Sequence, residues 1–194
     1  LNNHNQLNIV SVYSSSKAGQ PVNIDSLGEM TYQDLALDKI DLGDEDAFIL
    51  ALPNMKSQQY VDLIRNYNSE SGWSKEYNLG KNVNSRKWET QACFSSDGKY
   101  LYFISNRDGG FGGDDIWRSE ISEGFFLKAE NLGPTINTKY NEMSPFLHPD
   151  NLTFYFSSNG HIGMGGYDIY VSRRTNSSVE WGNPKNIGYP INTF

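Results

Sequence analysis

Short apolar stretches alternate with turn-forming residues along the chain, and no long stripe at helical spacing develops. Leu7-Asn8-Ile9-Val10-Ser11-Val12-Tyr13 alternates as a half-buried strand does, and Ala47-Phe48-Ile49-Leu50-Ala51-Leu52 reads as a buried one. Between Lys56 and Arg65, the apolar residues Tyr60, Val61, Leu63 and Ile64 fall in a polar stretch and predict a short helix. Trp73 to Gly80 predicts another strand. The pattern then becomes regular. It predicts strands over 90–95, 99–105, 115–121 and 125–131, and again over 143–148, 152–158, 168–174 and 180–187. Asp97-Gly98 and Asp150-Asn151 supply hairpin turns. Tyr100-Leu101-Tyr102-Phe103-Ile104 is apolar at successive positions, so both of its faces must be covered.

These segments are copies of one another. Glu89-Thr90-Gln91-Ala92-Cys93-Phe94 aligns with Glu142-Met143-Ser144-Pro145-Phe146-Leu147, at an offset of 53 residues. Tyr102-Phe103-Ile104-Ser105-Asn106 aligns with Tyr155-Phe156-Ser157-Ser158-Asn159, and Gly112-Gly113-Asp114-Asp115-Ile116-Trp117 with Gly165-Gly166-Tyr167-Asp168-Ile169-Tyr170, at the same offset of 53. A further element occurs three times, as Asn78-Leu79-Gly80, Asn131-Leu132-Gly133 and Asn186-Ile187-Gly188. Each has an Asn six residues after its first (Asn84, Asn137, Asn192). A sequence period of this length, carried by short strands, predicts an all-β chain of four-stranded antiparallel blades stacked face to face, a β-propeller or a fragment of one. The expected units are 1–87 (a diverged blade with insertions), 88–140 and 141–194. Three blades are too few to close a ring, so the chain is expected to be part of a larger propeller or to hold further strands within its first 72 residues.

Phe94-Ser95-Ser96-Asp97-Gly98-Lys99-Tyr100-Leu101-Tyr102-Phe103 and Pro145-Phe146-Leu147-His148-Pro149-Asp150 resemble the WD40-like propeller repeat of TolB-type proteins, built on Ser-Pro-Asp-Gly. The longer pattern adds Ser105 to Trp117 and the Asn-Leu-Gly…Ile-Asn-Thr element. It is similar to the propellers of OmpA-family envelope proteins, including the PorE-like component of type IX secretion. The resemblance covers about 73–194, and Ser96 stands where Pro is usual. It implies a periplasmic, outer-membrane or peptidoglycan-associated interaction module of a Gram-negative envelope, with other envelope proteins as partners. The alternative is an accessory or gating propeller domain of a hydrolase.

Composition agrees. Asn and Ser number 21 each, with 18 Gly and 7 Pro, together over a third of the chain, which suits tight turns rather than a helical bundle. The charge of −7 and pI of about 4.9 argue against nucleic acid as a partner. No apolar run is long enough for a transmembrane segment. The lone Cys93 allows no internal disulfide and, lying in Ala92-Cys93-Phe94, reads as a buried inert thiol.

Chemistry-bearing sets are thin. No Gly-x-Ser-x-Gly elbow occurs and no two of His4, His148 and His161 have metal-ligand spacing, so no enzyme activity, cofactor or metal is expected. Asp108, Asp114 and Asp115 have the short spacing of a calcium loop, but only Asp115 recurs, as Asp168. A turn cap made through backbone N–H groups is the preferred reading. Glu89 and Glu142 share one repeat position, where they either line an open mouth or bond a neighbouring backbone. The expected partner-binding residues lie at blade ends. They are Glu89, Gln91, Asn141 and Glu142 at the first strand, and Arg107, Asp108, Phe111, His161 and Met164 in the Gly-rich loop. Phe111 and Met164, amid glycines, are either exposed anchors or side chains folded onto the next blade.

Overall fold

The computed structural model describes residues 8–13, 47–53, 61–69, 72–73, 77–176 and 178–193. Among them every regular element is a strand, in three antiparallel sheets. The first holds β1 (Asn8–Tyr13), β2 (Ala47–Pro53) and β3 (Val61–Ser69), with β4 (Gly72–Trp73) and β5 (Tyr77–Asn78) both on β3. The second holds β6 (Glu89–Phe94), β7 (Tyr100–Ser105) and β8 (Asp115–Ser122), with β9 (Phe125–Phe126) and β10 (Glu130–Asn131) both on β8. The third runs β11 (Glu142–Leu147), β12 (Thr153–Ser158), β13 (Asp168–Arg173), β14 (Lys185–Asn186).

The helix predicted between Lys56 and Arg65 is not formed: Val61 onward is β3, and 56–60 lie outside the described residues. The misleading signal has a physical cause. Asp62 and Arg65 are buried in β3, at 5% and 2% exposure, so polarity there does not mark the outside. Asp62-Leu63-Ile64 stands 53 residues before Asp115-Ile116-Trp117, a third copy of that element. The strand predicted over 125–131 is split into β9 and β10, and of 180–187 only Lys185–Asn186 forms a strand, although Gly182 and Ile187 also bond β13 through their N–H groups. Pro184, just before β14, has no N–H to give.

The β6–β7 hairpin turns at Gly98, whose φ of +67° and N–H to Ser95 O (2.9 Å) close it. The β11–β12 hairpin uses Asn151 at +56°, with its N–H on His148 O (2.9 Å). β6 and β11 share a further irregularity. Gln91 and Ser144, equivalent residues, have φ of +46° and +54° at register breaks. The Gln91 Oε1 accepts the Ser144 N–H at 2.6 Å, so one bulge is bonded to the next.

The core is two apolar layers. One joins Ile49, Ala51, Leu63 and Val83 of the first sheet and its following turn to Phe94, Leu101, Phe103 and Trp117 of the second. The other joins Tyr102, Ile104, Ile116 and Ile136 to Leu147, Phe154, Phe156, Tyr170 and Trp181. β7 therefore feeds alternate residues to opposite layers, as its unbroken apolar run predicts.

Candidate functional site

The repeated asparagines are structural. Asn78, Asn131 and Asn186 each accept, at 2.8 Å, the N–H of the glycine two residues on. Those glycines, Gly80, Gly133 and Gly188, sit at φ of +77°, +80° and +74°. The same asparagines donate to Asp62, Asp115 and Asp168 at 2.6, 2.8 and 3.2 Å. They also accept the side-chain N–H of Asn84, Asn137 and Asn192. The second asparagine brackets the backbone of the neighbouring strand. Asn137 takes the Ile116 N–H at 2.8 Å and gives to its carbonyl at 2.9 Å. Asn84 does the same at Leu63, and Asn192 at Ile169.

Glu89 and Glu142 are fully buried, so neither offers a carboxylate to a partner or to an open mouth. Glu89 accepts from Ser85 N–H (2.8 Å), Ser85 Oγ (2.7 Å) and Ser105 Oγ (2.6 Å), and lies 3.1 Å from the Arg107 guanidinium. Glu142 accepts from Thr138 N–H (2.7 Å), Thr138 Oγ1 (2.8 Å) and Ser158 Oγ (2.5 Å).

Arg107 and His161 play one part with different chemistry. The Arg107 guanidinium lies 5.0 Å from both the Phe103 and Trp117 rings and donates to the Val83 carbonyl. In the third sheet Gly160 occupies the aligned position, and His161 fills the space. Its ring is 5.7 Å from Phe156 and 5.2 Å from Tyr170, and its Nε2 is 2.8 Å from Ile136 O, all equivalents of Arg107's contacts.

The loop aspartates cap their own loops. Asp115 accepts the N–H groups of Phe111 (2.5 Å) and Gly112 (3.2 Å); Asp168 accepts those of Met164 and Gly165. Burial and the adjacent Asp115 push the Asp114 carboxyl above its ordinary value. Among the described residues no group of three His, Cys, Asp or Glu is placed to hold a metal ion. Burial pushes the Cys93 thiol, packed against the second layer, up to about 12, so it stays protonated.

Of the residues the sequence singles out, Gln91, Asn141, Arg107 and His161 are engaged inside the fold. Asn141 is half-buried and takes the Asp114 N–H at 3.0 Å. Met164 is half-buried as well. Asp108 is open to solvent, 3.1 Å from Lys87. Phe111 is 48% exposed. On the same rim are residues the sequence reading missed: Trp88 at 56%, Tyr140 at 48% and Tyr167 at 49% exposure. All four stand at one rim, where the rows Glu89–Ser105–Asp115 and Glu142–Ser158–Asp168 end the sheets. The available signal was an aromatic one or two residues before each repeated Glu. The rim is stitched together by Gly113 N–H to Tyr140 O and Glu142 N–H to Asp114 O, both 2.7 Å. A Cβ on Gly112 would overlap the Thr138 and Tyr140 carbonyls, so these loops can approach only with glycine there.

Among the described residues no helix is long and apolar enough to cross a membrane. No protein-family model matches the chain, and comparison with curated proteins finds no relative.

Proposed function

We propose that this chain is a segment of a β-propeller with four-stranded blades, and that it acts as a non-enzymatic protein-interaction module. The assembly it serves is a Gram-negative cell envelope, at the periplasmic side of the outer membrane or its peptidoglycan. The resemblance of residues 73–194 to the WD40-like envelope repeat supports the setting. One observation carries the role: Trp88, Phe111 and Tyr140 stand half-exposed on a rim whose backbone is fixed by inter-sheet hydrogen bonds. Exposed aromatics on a rigid scaffold lose little entropy on docking and are the side chains that dominate protein interfaces. The polar groups beneath them are already consumed in holding the fold, which leaves shape and aromatic surface as the means of recognition.

The test replaces Trp88, Phe111 and Tyr140 together with Ser. The expected result is a thermal midpoint close to that of the parent and loss of the envelope proteins the parent captures from solubilised Gram-negative envelopes. Undiminished capture by the triple variant, or turnover of generic ester, peptide or glycoside substrates by the parent, would overturn the reading.

A further inference from the structure

The back of each sheet can be compared position by position. On the first sheet the set is Ile49, Ala51, Leu63 and Val83, all at most 7% exposed beneath the second sheet. On the second it is Tyr102, Ile104, Ile116 and Ile136, at most 2% exposed beneath the third. On the third the equivalents are Tyr155, Ser157, Ile169 and Ile191. Ile169 is 38% and Ile191 62% exposed, and Phe146, the equivalent of Cys93, is 53% exposed. A contiguous apolar face of this kind on one side of a sheet is a docking surface.

Its polar border is open at the same places. Where the third sheet meets the second, Gly113 N–H bonds Tyr140 O, Asp114 N–H bonds Asn141 Oδ1, and Asp114 O accepts the Glu142 N–H. Thr138 gives its N–H and hydroxyl to the Glu142 carboxylate. The counterparts in the third sheet are Gly166 N–H, Tyr167 N–H and C=O, and the N–H and hydroxyl of Thr193. Among the described residues none of these has a partner. A Cβ at Gly113 would strike Asn141, whereas one at its counterpart Gly166 meets nothing within 4 Å.

We propose that the third sheet binds one further sheet of this same repeat, recognised by a strand that opens with Asn-Glu or Trp-Glu. Its glutamate is received by Thr193, its leading residues by Gly166 and Tyr167, and its apolar side chains by Phe146, Ile169 and Ile191. A second copy of this chain does not qualify as occupant, because its own Glu89 and Glu142 are already enclosed. The inference rests on the proposed reading of the sheets as blades of one stack, and not on the rim aromatics, so loss of rim capture would leave it standing.

The probe is a labelled synthetic peptide of residues 139–149, the segment that fills these positions on the second sheet. It is titrated against the full chain, with amide shifts followed by NMR. The expected result is saturable binding with shifts centred on Gly166, Tyr167, Ile169 and Thr193. The peptide carrying Glu142→Gln should bind at least tenfold more weakly. The full chain carrying Ile169→Asp should keep its thermal midpoint, since Ile169 is exposed, and lose the peptide. Absence of saturable binding, or binding indifferent to Glu142→Gln and Ile169→Asp, would overturn the proposal. So would sedimentation showing that the chain closes this face by self-association.

Discussion

Replacing Glu89 with Ala is expected to destabilise the fold by about 3–5 kcal/mol, the usual cost of removing one partner from a buried ion pair. The Glu89 side chain is fully enclosed, and that of Arg107 is 13% exposed. Without the carboxylate, the guanidinium stays wedged between Phe103 and Trp117 with its charge uncompensated. Ser85 and Ser105 lose their acceptor as well. Equilibrium urea unfolding measures the loss. The second variant, Glu89→Ala with Arg107→Met, is expected to recover part of it, because the stranded cation goes too. Glu142→Ala is expected to cost less than Glu89→Ala, since Gly160 aligns with Arg107 and leaves no cation behind. Equal losses at the two glutamates would show that the ion pair is not what distinguishes them.

The second large effect is at Asn137. Ile116 is fully buried, and the Asn137 side chain is what its N–H donates to. The Ile116 carbonyl keeps a bond from Leu132 N–H at 3.1 Å, but the N–H has no substitute acceptor in Asn137→Ala. An unsatisfied buried donor costs about 1–3 kcal/mol. Asn131 also loses a donor, so a total of about 3 kcal/mol is expected. Asn192→Ala removes the same pair of bonds from Ile169. Ile169 is 38% exposed where Ile116 is fully buried, so the smaller desolvation cost leaves an expected loss below about 1 kcal/mol. Thermal unfolding of the two variants side by side gives the comparison.

Much of the second and third sheets was legible in the sequence, because their strands repeat as blocks with a fixed offset. The predicted bounds of β7 and β12 differ from the observed ones by one residue at one end, and those of β6 and β11 by one residue at both ends. The first sheet was harder to read. Its strand β3 carries buried Asp62 and Arg65, and an apolar count treats both as outside. The repeated Asn, Gly and Asp positions were visible as a pattern, but their meaning is hydrogen bonding, which hydropathy does not register. His161 shows the limit most clearly. Nothing in its local sequence says that it does for Phe156 and Tyr170 what Arg107 does for Phe103 and Trp117. Likewise Glu89 and Glu142 read as rim residues from their place at a strand start, and their burial depends on Ser85 and Thr138 folding back over them.

Stacked copies of one hydrogen-bonded unit, with the face of the third sheet more exposed than those of the first two, are tested most directly by native-state amide hydrogen exchange at Leu63, Ile116 and Ile169. The three N–H groups donate to equivalent asparagines at 2.8, 2.8 and 2.9 Å. The account predicts that Leu63 and Ile116 exchange only through the largest unfolding event, while Ile169 exchanges through a smaller local opening. Ile116 exchanging as fast as the Gly-rich loop, or Ile169 protected as well as Ile116, would contradict it.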